Sequence, residues 1–234
     1  MLLRLPTSVS DAQECLAEGA VPIGGATLLW ATWQREGFPA LAMSLRELPE
    51  ANVLERGAVG GAVVLHQMDE RMPDALRLAA AQVGTGAVRR SATVGGNLVG
   101  SALRCLLPAA LVLDARATVL EPEGVRETDL SEVVAKRALL LSLHWPEPIA
   151  STFTKLPAEP SGPPPLVVAS AVHAAGDGLR TFRVAVRDGY EVLSATATGT
   201  DSADTVPALR GTALGDLPPA AWDVIGSQAA ALLP

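Results

Sequence analysis

The sequence predicts an α+β protein built in two parts. Up to about residue 150, short strand-like runs alternate with helix-like runs. Prolines then become frequent from Pro146 to Pro165, and proline interrupts regular elements rather than continuing them. Three strand-like runs follow, with glycine-containing turns between them. We therefore expect one domain over residues 1–150, with subdomains of about 1–55 and 56–150, and a small antiparallel-sheet domain over 151–234.

Composition restricts the class of protein. Hydrophobic residues make up 49% of the chain and aromatic residues only 3%, so the core is expected to be mostly Ala, Leu and Val. The net charge is −7 and no basic block is present, which argues against a nucleic-acid or anionic-membrane partner. No apolar run reaches the ~20 residues that span a bilayer. The first residues lack the layout of a signal peptide, and we expect a cytoplasmic protein.

The helices and strands of the first part are predicted from helix-capping residues and from the positions of glycine and proline. Residues 2–5 are expected to form a strand, and Ser10 with Gln13 forms a candidate capping box for a helix that ends near Gly19. Pro73 opens a predicted helix that runs to about Gln82. The other segments predicted before residue 150 are strands at 20–23, 40–45, 61–65, 118–121 and 139–145, and helices at 27–35 and 109–114.

The second part contains clear turn-forming residues between its predicted strands. Strands are predicted at 166–174, 181–186 and 190–197. The turn between the first two contains Gly176 and Gly178, and Asp188-Gly189 is typical of a β-hairpin.

Trp30 and Trp33, three residues apart on the helix predicted at 27–35, are interpreted as core or interface packing rather than as a ligand-stacking pair.

Two glycine pairs, Gly24-Gly25 and Gly95-Gly96, are the strongest functional signals. Each lies between a short apolar run and a helix-like run, where glycine permits positive φ angles and lets the backbone approach a ligand closely. Successive N–H groups in such turns converge on anions, although ordinary tight turns show the same pattern. Gly84-Thr85-Gly86 lacks a third glycine and follows a helix, which excludes a dinucleotide fingerprint.

These two loops resemble the FAD-binding subunit of the xanthine dehydrogenase and carbon monoxide dehydrogenase family of molybdenum hydroxylases, with a vanillyl-alcohol-oxidase-like, PCMH-type fold. The first loop reads Pro-Ile-Gly-Gly-Ala-Thr-Leu from Pro22, where the family usually has Pro-Val-Ala-Gly-Gly-Thr-Asp-Leu. The second reads Arg-Arg-Ser-Ala-Thr-Val-Gly-Gly-Asn-Leu from Arg89, where the family has Ile-Arg-Asn-x-Ala-Thr-Ile-Gly-Gly-Asn-Leu. The resemblance extends loosely over residues 1–190.

The resemblance implies that both loops wrap the diphosphate of FAD. Phe153-Thr154-Lys155 is similar to the segment that begins the family's last domain, whose lysine tends to lie toward the flavin ring; a surface lysine is the equally open alternative. Arg89 matches an arginine of the family, although such a residue is usually solvated or salt-bridged. The cofactor-binding residues implied are Gly24, Gly25, Ala26, Thr27, Leu28, Arg89, Thr93, Val94, Gly95, Gly96, Asn97 and Lys155.

Several positions depart from the family pattern. Ala26 stands where a glycine is usual, and Leu28 replaces an Asp or Ser. After Asn97 the family has two acids, and this chain has Ala102 and Leu106 instead. Each lost hydrogen bond costs about 1 kcal/mol, so weakened flavin binding is an open alternative. Part of the helical layer that follows the last sheet is expected to be missing or minimal in this chain.

Three functions are compatible with these observations. The first is an FAD-binding oxidoreductase subunit that passes electrons between iron–sulfur and molybdopterin partner subunits and an acceptor such as NAD. The second is a flavin-free descendant acting on a small-molecule substrate, for example a cyclase or isomerase, and the third is a scaffold subunit. The three histidines form no metal-binding pattern, the two cysteines cannot hold an iron–sulfur cluster unaided, and no catalytic residue is assigned.

Overall fold

The computed structural model describes residues 1–157 and 162–233. Pro160 of the proline-rich junction and the terminal Pro234 therefore lie outside the described residues. The helices are α1 (Val9–Ala17), α2 (Leu29–Glu36), α3 (Asp74–Ala81), α4 (Gly86–Arg89), α5 (Leu107–Val112), α6 (Leu130–Lys136), α7 (Ser202–Arg210) and α8 (Pro219–Leu232). The strands are β1 (Leu2–Arg4), β2 (Val21–Pro22), β3 (Leu41–Met43), β4 (Leu54–Glu55), β5 (Ala58–Gly60), β6 (Arg116–Glu121), β7 (Gly124–Asp129), β8 (Leu139–His144), β9 (Ala150–Lys155), β10 (Val167–Gly176), β11 (Leu179–Asp188) and β12 (Glu191–Gly199).

The chain divides into two compact units that are not contiguous in sequence. Unit 1 consists of Met1–Arg71, Val83–Arg104 and Ala115–Trp145. Unit 2 consists of Met72–Gln82, Cys105–Asp114 and Pro146–Pro234. The expected boundary near residue 150 was drawn from proline frequency alone and stays a prediction about domains, whereas the units reflect which segments pack together.

Unit 1 contains two sheets. In the smaller sheet β3 lies between β1 and β2, and both pairings are parallel. Parallel neighbours need a crossover connection, and α1 and α2 supply it. The larger sheet is antiparallel, with the order β4-β5-β8-β6-β7. A single apolar cluster joins the two sheets, because it takes residues from α1 and β3 on one side and Leu120 and Leu141 from the larger sheet on the other.

Unit 2 is a four-stranded antiparallel sheet with helices on both faces. The order is β12-β11-β10-β9, and both hairpin turns fall where the glycines predict them. The loop of the first hairpin, Asp177 and Gly178, has φ angles of +50° and +76°, as a type I′ turn requires. Alternate side chains of β10 and β11 pack under α7 and α8, whereas His173 faces α5 and bonds the carbonyl oxygen of Val112 at 2.9 Å.

Helix α8 is fixed to this sheet by a buried amide. The side chain of Gln228 accepts a hydrogen bond from the Ser170 hydroxyl at 2.6 Å and donates to the Thr154 hydroxyl at 2.9 Å and to the Val168 carbonyl oxygen at 3.2 Å. A buried amide with its donors and acceptor used costs no desolvation penalty and sets one register for the helix. The described chain thus has two helices after the last strand, α7 and α8, and the expectation that part of this layer is missing stays a prediction.

Three further expectations differ from the structure. The N-cap of α1 is Ser8 rather than Ser10, since the Ser8 hydroxyl accepts from the Asp11 N–H at 3.1 Å. The strand expected at 61–65 lies earlier, at β5, because Gly60 and Gly61 pack against the carbonyls of Ala51 and Leu140, where a side chain would not fit. Strand β7 and helix α6 were not predicted, because Gly124–Asp129 is mostly polar.

An ion-pair network fixes α6 to the edge of the larger sheet. Arg126 on β7 pairs with both Glu121 on β6 and Glu132 on α6, at 2.7 Å each. The Thr128 hydroxyl and the Lys136 ammonium also donate to Glu132. These hydrogen bonds, with that from Arg126 the largest, hold the pKa of the Glu132 carboxyl well below its ordinary value, and Arg126 likewise lowers the pKa of Glu121.

No helix in residues 1–157 and 162–233 is long and apolar enough to cross a membrane.

We predict that Ser8→Ala lowers the free energy of unfolding by about 1 kcal/mol, because the substitution removes the acceptor for an otherwise unpaired N–H at the start of α1. Ser10→Ala is the matched control and is expected to be neutral, since Ser10 is exposed inside the helix. Urea denaturation of both variants measures the difference. Equal losses in the two variants would contradict the assignment of Ser8 as the cap.

The Glu132 network predicts a pH-dependent stability. A carboxyl whose pKa is lower in the folded than in the unfolded state stabilises the fold above the unfolded pKa, and this contribution is lost as the pH falls through the folded pKa. The free energy of unfolding should therefore decrease below about pH 4.5, and Glu132→Gln should make that decrease shallower. Denaturation over a pH series tests this, with the exposed Glu123→Gln as control. Parallel curves for all three proteins would exclude the network as the cause.

Candidate functional site

The two glycine pairs lie against each other in unit 1. We define the first glycine loop as residues 24–28, between β2 and α2, and the second glycine loop as residues 93–97. A Cβ atom added to Gly24 would overlap the Thr93 hydroxyl, and one added to Gly25 would overlap the carbonyl group of Ser91. Glycine is required here for close approach of two backbones, and segments separated by about 70 residues in sequence thus form one site.

Close approach, and not positive φ, explains these glycines. None of the four has a positive φ angle, and Gly95 is helical, with φ −62° and ψ −43°. The left-handed residue of the first glycine loop is Ala26, with φ +54°. Such a conformation is unfavourable for a residue with a Cβ and is retained only where the surroundings impose it. Of the two properties that glycine provides, close approach is therefore the one used at these four positions.

The second glycine loop is a rigid platform. The Val94 N–H donates to the Val63 carbonyl at 3.0 Å, and the Gly95 N–H donates to the Gly61 carbonyl at 2.8 Å. The Gly96 N–H donates to the Thr93 hydroxyl at 3.1 Å. The chain then enters a π-helical turn, Gly96–Gly100, a form often found at functional sites. Because its donors are used internally, this loop shapes the site without offering these amides to a ligand.

The first glycine loop has the opposite character. No hydrogen bond within the described part of the chain uses the backbone N–H groups of residues 24–28. Five consecutive donors without an acceptor are expensive to bury and are normally satisfied by solvent or by a ligand. Consecutive N–H groups around a left-handed residue form a concave anion-binding nest. This loop therefore has the donors that an anion requires.

Both loops line one cavity of about 530 Å³. This volume lies within the range of small-molecule and cofactor sites, about 300–1,000 Å³. The charged residues in its lining are Arg46 and Arg137, and no carboxylate is among them. Its polar side chains are Ser44, Ser91 and Thr93, and most of the rest of the lining is glycine or apolar. The cavity thus combines an apolar wall with positive charge and open backbone donors.

Six of the predicted cofactor-binding residues line this cavity: Gly24, Gly25, Ala26, Thr93, Gly95 and Gly96. Four others belong to the same loops without lining it. Of these, Val94 and Asn97 are buried, and Leu28 is 54% exposed and makes no side-chain cap to α2. Thr27 is also exposed. The structure brings the two loops together, and the role of each residue in binding stays a prediction.

Arg89 and Lys155 make different contacts. The Arg89 guanidinium donates to the carbonyl oxygens of Val83 and Gly84 at 3.1 and 3.0 Å, which fixes the turn before α4. Lys155 belongs to unit 2, where its ammonium donates to the Gln82 carbonyl at 3.1 Å. Of the two tryptophans on α2, Trp33 is buried, whereas Trp30 is 52% exposed and packs edge-on against Phe38.

Sequence reasoning missed the two cavity arginines. Arg46 lies in a short 3₁₀ turn after β3, and Arg137 ends α6 in a left-handed conformation, with φ +51° and ψ +43°. A helix C-terminus usually has glycine in that conformation. An arginine after Leu130–Lys136 could have been recognised only if the helix itself had been predicted. In the described residues no group of three or more His, Cys, Asp and Glu side chains is placed to hold a metal ion.

We predict that Gly25→Ala destabilises the protein by about 1–3 kcal/mol, because the added methyl group forces the first glycine loop away from the Ser91 carbonyl. Gly100→Ala is the matched control, since Gly100 also lines the cavity but has open space around the position of a Cβ. Thermal unfolding of both variants measures the effect. A Gly25→Ala variant as stable as Gly100→Ala would show that the loops are not in contact.

Comparisons with known proteins identify a family and a fold for this chain. The model of the family described as the FAD binding domain in molybdopterin dehydrogenase matches residues 3–142. No curated protein matches the sequence. Among solved structures, a chain of the Cu,Mo-CO dehydrogenase in its cyanide-inactivated form superposes with a TM-score of 0.73 and 18% identity, covering 99% of this chain and 94% of that one. A chain of quinoline 2-oxidoreductase from Pseudomonas putida 86 gives a TM-score of 0.70 and 20% identity, covering 99% and 93%.

At these identities the two structures establish the fold alone, the α+β fold predicted from the sequence. The family match carries more, because it covers more than half of the chain and includes both glycine loops and both cavity arginines. The protein therefore belongs to the family of FAD-binding domains of molybdopterin dehydrogenases, and FAD is its cofactor.

Proposed function

We propose that the cavity of unit 1 holds FAD, with the diphosphate against the first glycine loop, and that the chain is the flavoprotein part of an oxidoreductase complex. The observation that carries this proposal is the convergence of the two glycine loops on one cavity. One loop offers five unused N–H donors, and the other supplies a fixed wall with the Thr93 hydroxyl.

The chemistry of the lining fits this cofactor. A diphosphate requires backbone donors and positive charge, and the cavity has both without a carboxylate to repel it. An aromatic ring system requires an apolar wall. The larger lining residues that provide one are Leu3, Pro22, Ile23, Leu29, Leu45, Val64, Val99, Leu139 and Leu140. The same cavity therefore suits both halves of an amphipathic dinucleotide.

The cofactor-binding residues of this proposal fall into three groups. Gly24, Gly25, Ala26, Thr27 and Leu28 offer backbone donors. Thr93, Val94, Gly95, Gly96 and Asn97 form the opposing wall. Arg89 acts indirectly, since it braces the turn that leads into the second glycine loop. The role of Lys155, a cation beside the flavin, is proposed from the family resemblance alone.

FAD supplies both one-electron and two-electron transfer, which lets it connect single-electron carriers to a hydride acceptor. One solved structure of the same fold is named as a copper- and molybdenum-containing dehydrogenase. The two cysteines of this chain, Cys15 and Cys105, cannot ligate an iron–sulfur cluster by themselves. We therefore assign the iron–sulfur and molybdopterin centres to partner subunits, and NAD to the role of acceptor.

A weaker flavin site has one structural argument in its favour. Leu106, where the family pattern has an acid, is apolar and fully buried. Leu28, at another altered position, is exposed and has no polar group in its side chain. A flavin-free descendant that uses the cavity for another small molecule would share both features.

The absorption spectrum of the purified chain tests the proposed function. We expect a flavin spectrum, or its appearance after addition of FAD and gel filtration, with riboflavin binding much more weakly because it lacks the diphosphate. Anaerobic NADH should then bleach the bound flavin if NAD is the acceptor. A chain that remains colourless in excess FAD would contradict cofactor binding. Bound flavin that NADH does not bleach would exclude NAD as the acceptor and leave FAD binding intact.

A further inference from the structure

The charge on the cavity comes from two arginines that no family motif identified. Among the described lining residues, Arg46 and Arg137 are the charged ones. A diphosphate carries about two negative charges at neutral pH. Cations close to it make its binding more favourable. Among the lining side chains, these two arginines are therefore the ones that can balance the charge of a bound diphosphate.

Arg137 is available for a ligand. Within residues 1–157 and 162–233, no hydrogen bond or ion pair engages its guanidinium, and the side chain is exposed. Its neighbour Lys136 is different, because that ammonium pairs with Glu132 at 2.6 Å. An unengaged arginine beside a cavity that also contains open amides is placed to pair with a bound anion.

The backbone of Arg137 is unusual for its position. The residue has a left-handed conformation, in which glycine is preferred and a Cβ is unfavourable. Ala26, on the first glycine loop, shares this conformation and also lines the cavity. Helix α6, which Arg137 ends, is fixed by the Arg126–Glu132 pair. The fold thus keeps the backbone of Arg137 in a conformation for which glycine is usually preferred.

Arg46 can serve as a second cation. It pairs with Glu47 at 3.3 Å, but both side chains are more than half exposed. Exposed ion pairs contribute about 0–1 kcal/mol, so this one is easily exchanged for a ligand phosphate. The family resemblance implies a binding role for Arg89. In the structure its guanidinium instead donates hydrogen bonds to the carbonyl oxygens of Val83 and Gly84.

We infer that Arg137, assisted by Arg46, neutralises the diphosphate of the bound dinucleotide while the amides of the first glycine loop donate hydrogen bonds to it. This inference rests on the proposed function, since it assigns charge compensation within the same FAD site. The rival reading is that both arginines are solvated surface residues with no effect on binding.

Arg137→Gly separates binding from folding. Glycine accepts the left-handed conformation, so the variant should unfold at the same or a higher temperature than the parent chain. Its affinity for FAD, measured by flavin fluorescence at low salt, should fall roughly three- to tenfold. Riboflavin affinity should be unchanged, because riboflavin has no phosphate. Arg137→Lys should retain most of the FAD affinity, and Arg46→Gln should give a smaller loss.

Ionic strength and net charge provide the controls. Added salt screens charge pairs, so the ratio of parent to Arg137→Gly affinities should decrease toward one as salt rises. Arg56→Gln removes the same charge at an exposed turn of unit 1 outside the cavity lining and should bind FAD like the parent chain. Arg137→Gln is a second variant should Arg137→Gly alter the end of α6.

The outcomes are distinguishable. Equal FAD affinity in the parent chain, Arg137→Gly, Arg137→Gln and Arg56→Gln would overturn the inference and leave the proposed function intact. The same loss for FAD and riboflavin would also overturn it, because the effect would not come from the diphosphate. A parent chain that binds neither FAD nor riboflavin would refute the proposed function, and the inference with it.

Discussion

The site depends on one steric constraint, the close approach of Gly24 and Gly25 to the backbone of residues 91–93. At Gly25 the space that a Cβ would occupy is already taken by the Ser91 carbonyl, so no other residue allows the two loops to meet as they do. The position of the first glycine loop, and hence of its amides, follows from this contact.

The two glycine loops have different roles in the site. The second glycine loop uses its N–H groups internally and through the Thr93 hydroxyl, which makes it rigid. The first leaves its N–H groups open and places Ala26 in a left-handed conformation. A rigid wall facing a set of unsatisfied donors is preorganised for an anion, because few groups need to be ordered when the ligand binds. Positive charge then comes from residues outside both loops.

The sequence was informative where local chemistry decides the outcome. Hairpin turns at Asp177-Gly178 and Asp188-Gly189, the strands between them and the two glycine loops follow from residues close in sequence. It was less informative where partners are distant. The polar strand β7 is stabilised by pairing with β6, and α6 by Arg126, so neither has an apolar signature of its own. Arg137 was missed for that reason, since its place at the cavity depends on α6.

The glycines also show a limit of motif reasoning. A glycine pair is compatible with positive φ angles and with close approach of another segment, and here close approach is the cause. The capping serine shows the same limit on a smaller scale. Ser8 and Ser10 are both plausible caps by composition, and the choice depends on which turn of helix the tertiary packing of Ala12 and Cys15 selects.

The threading of the chain between the two units has a consequence for biosynthesis. Residues 83–104, which carry the second glycine loop, leave unit 2 after α3 and return to it before α5. Both flanking helices pack on a sheet whose strands β9 to β12 are translated only later. The helices at both ends of this segment therefore lack the sheet on which they pack until the C-terminal half has been synthesised.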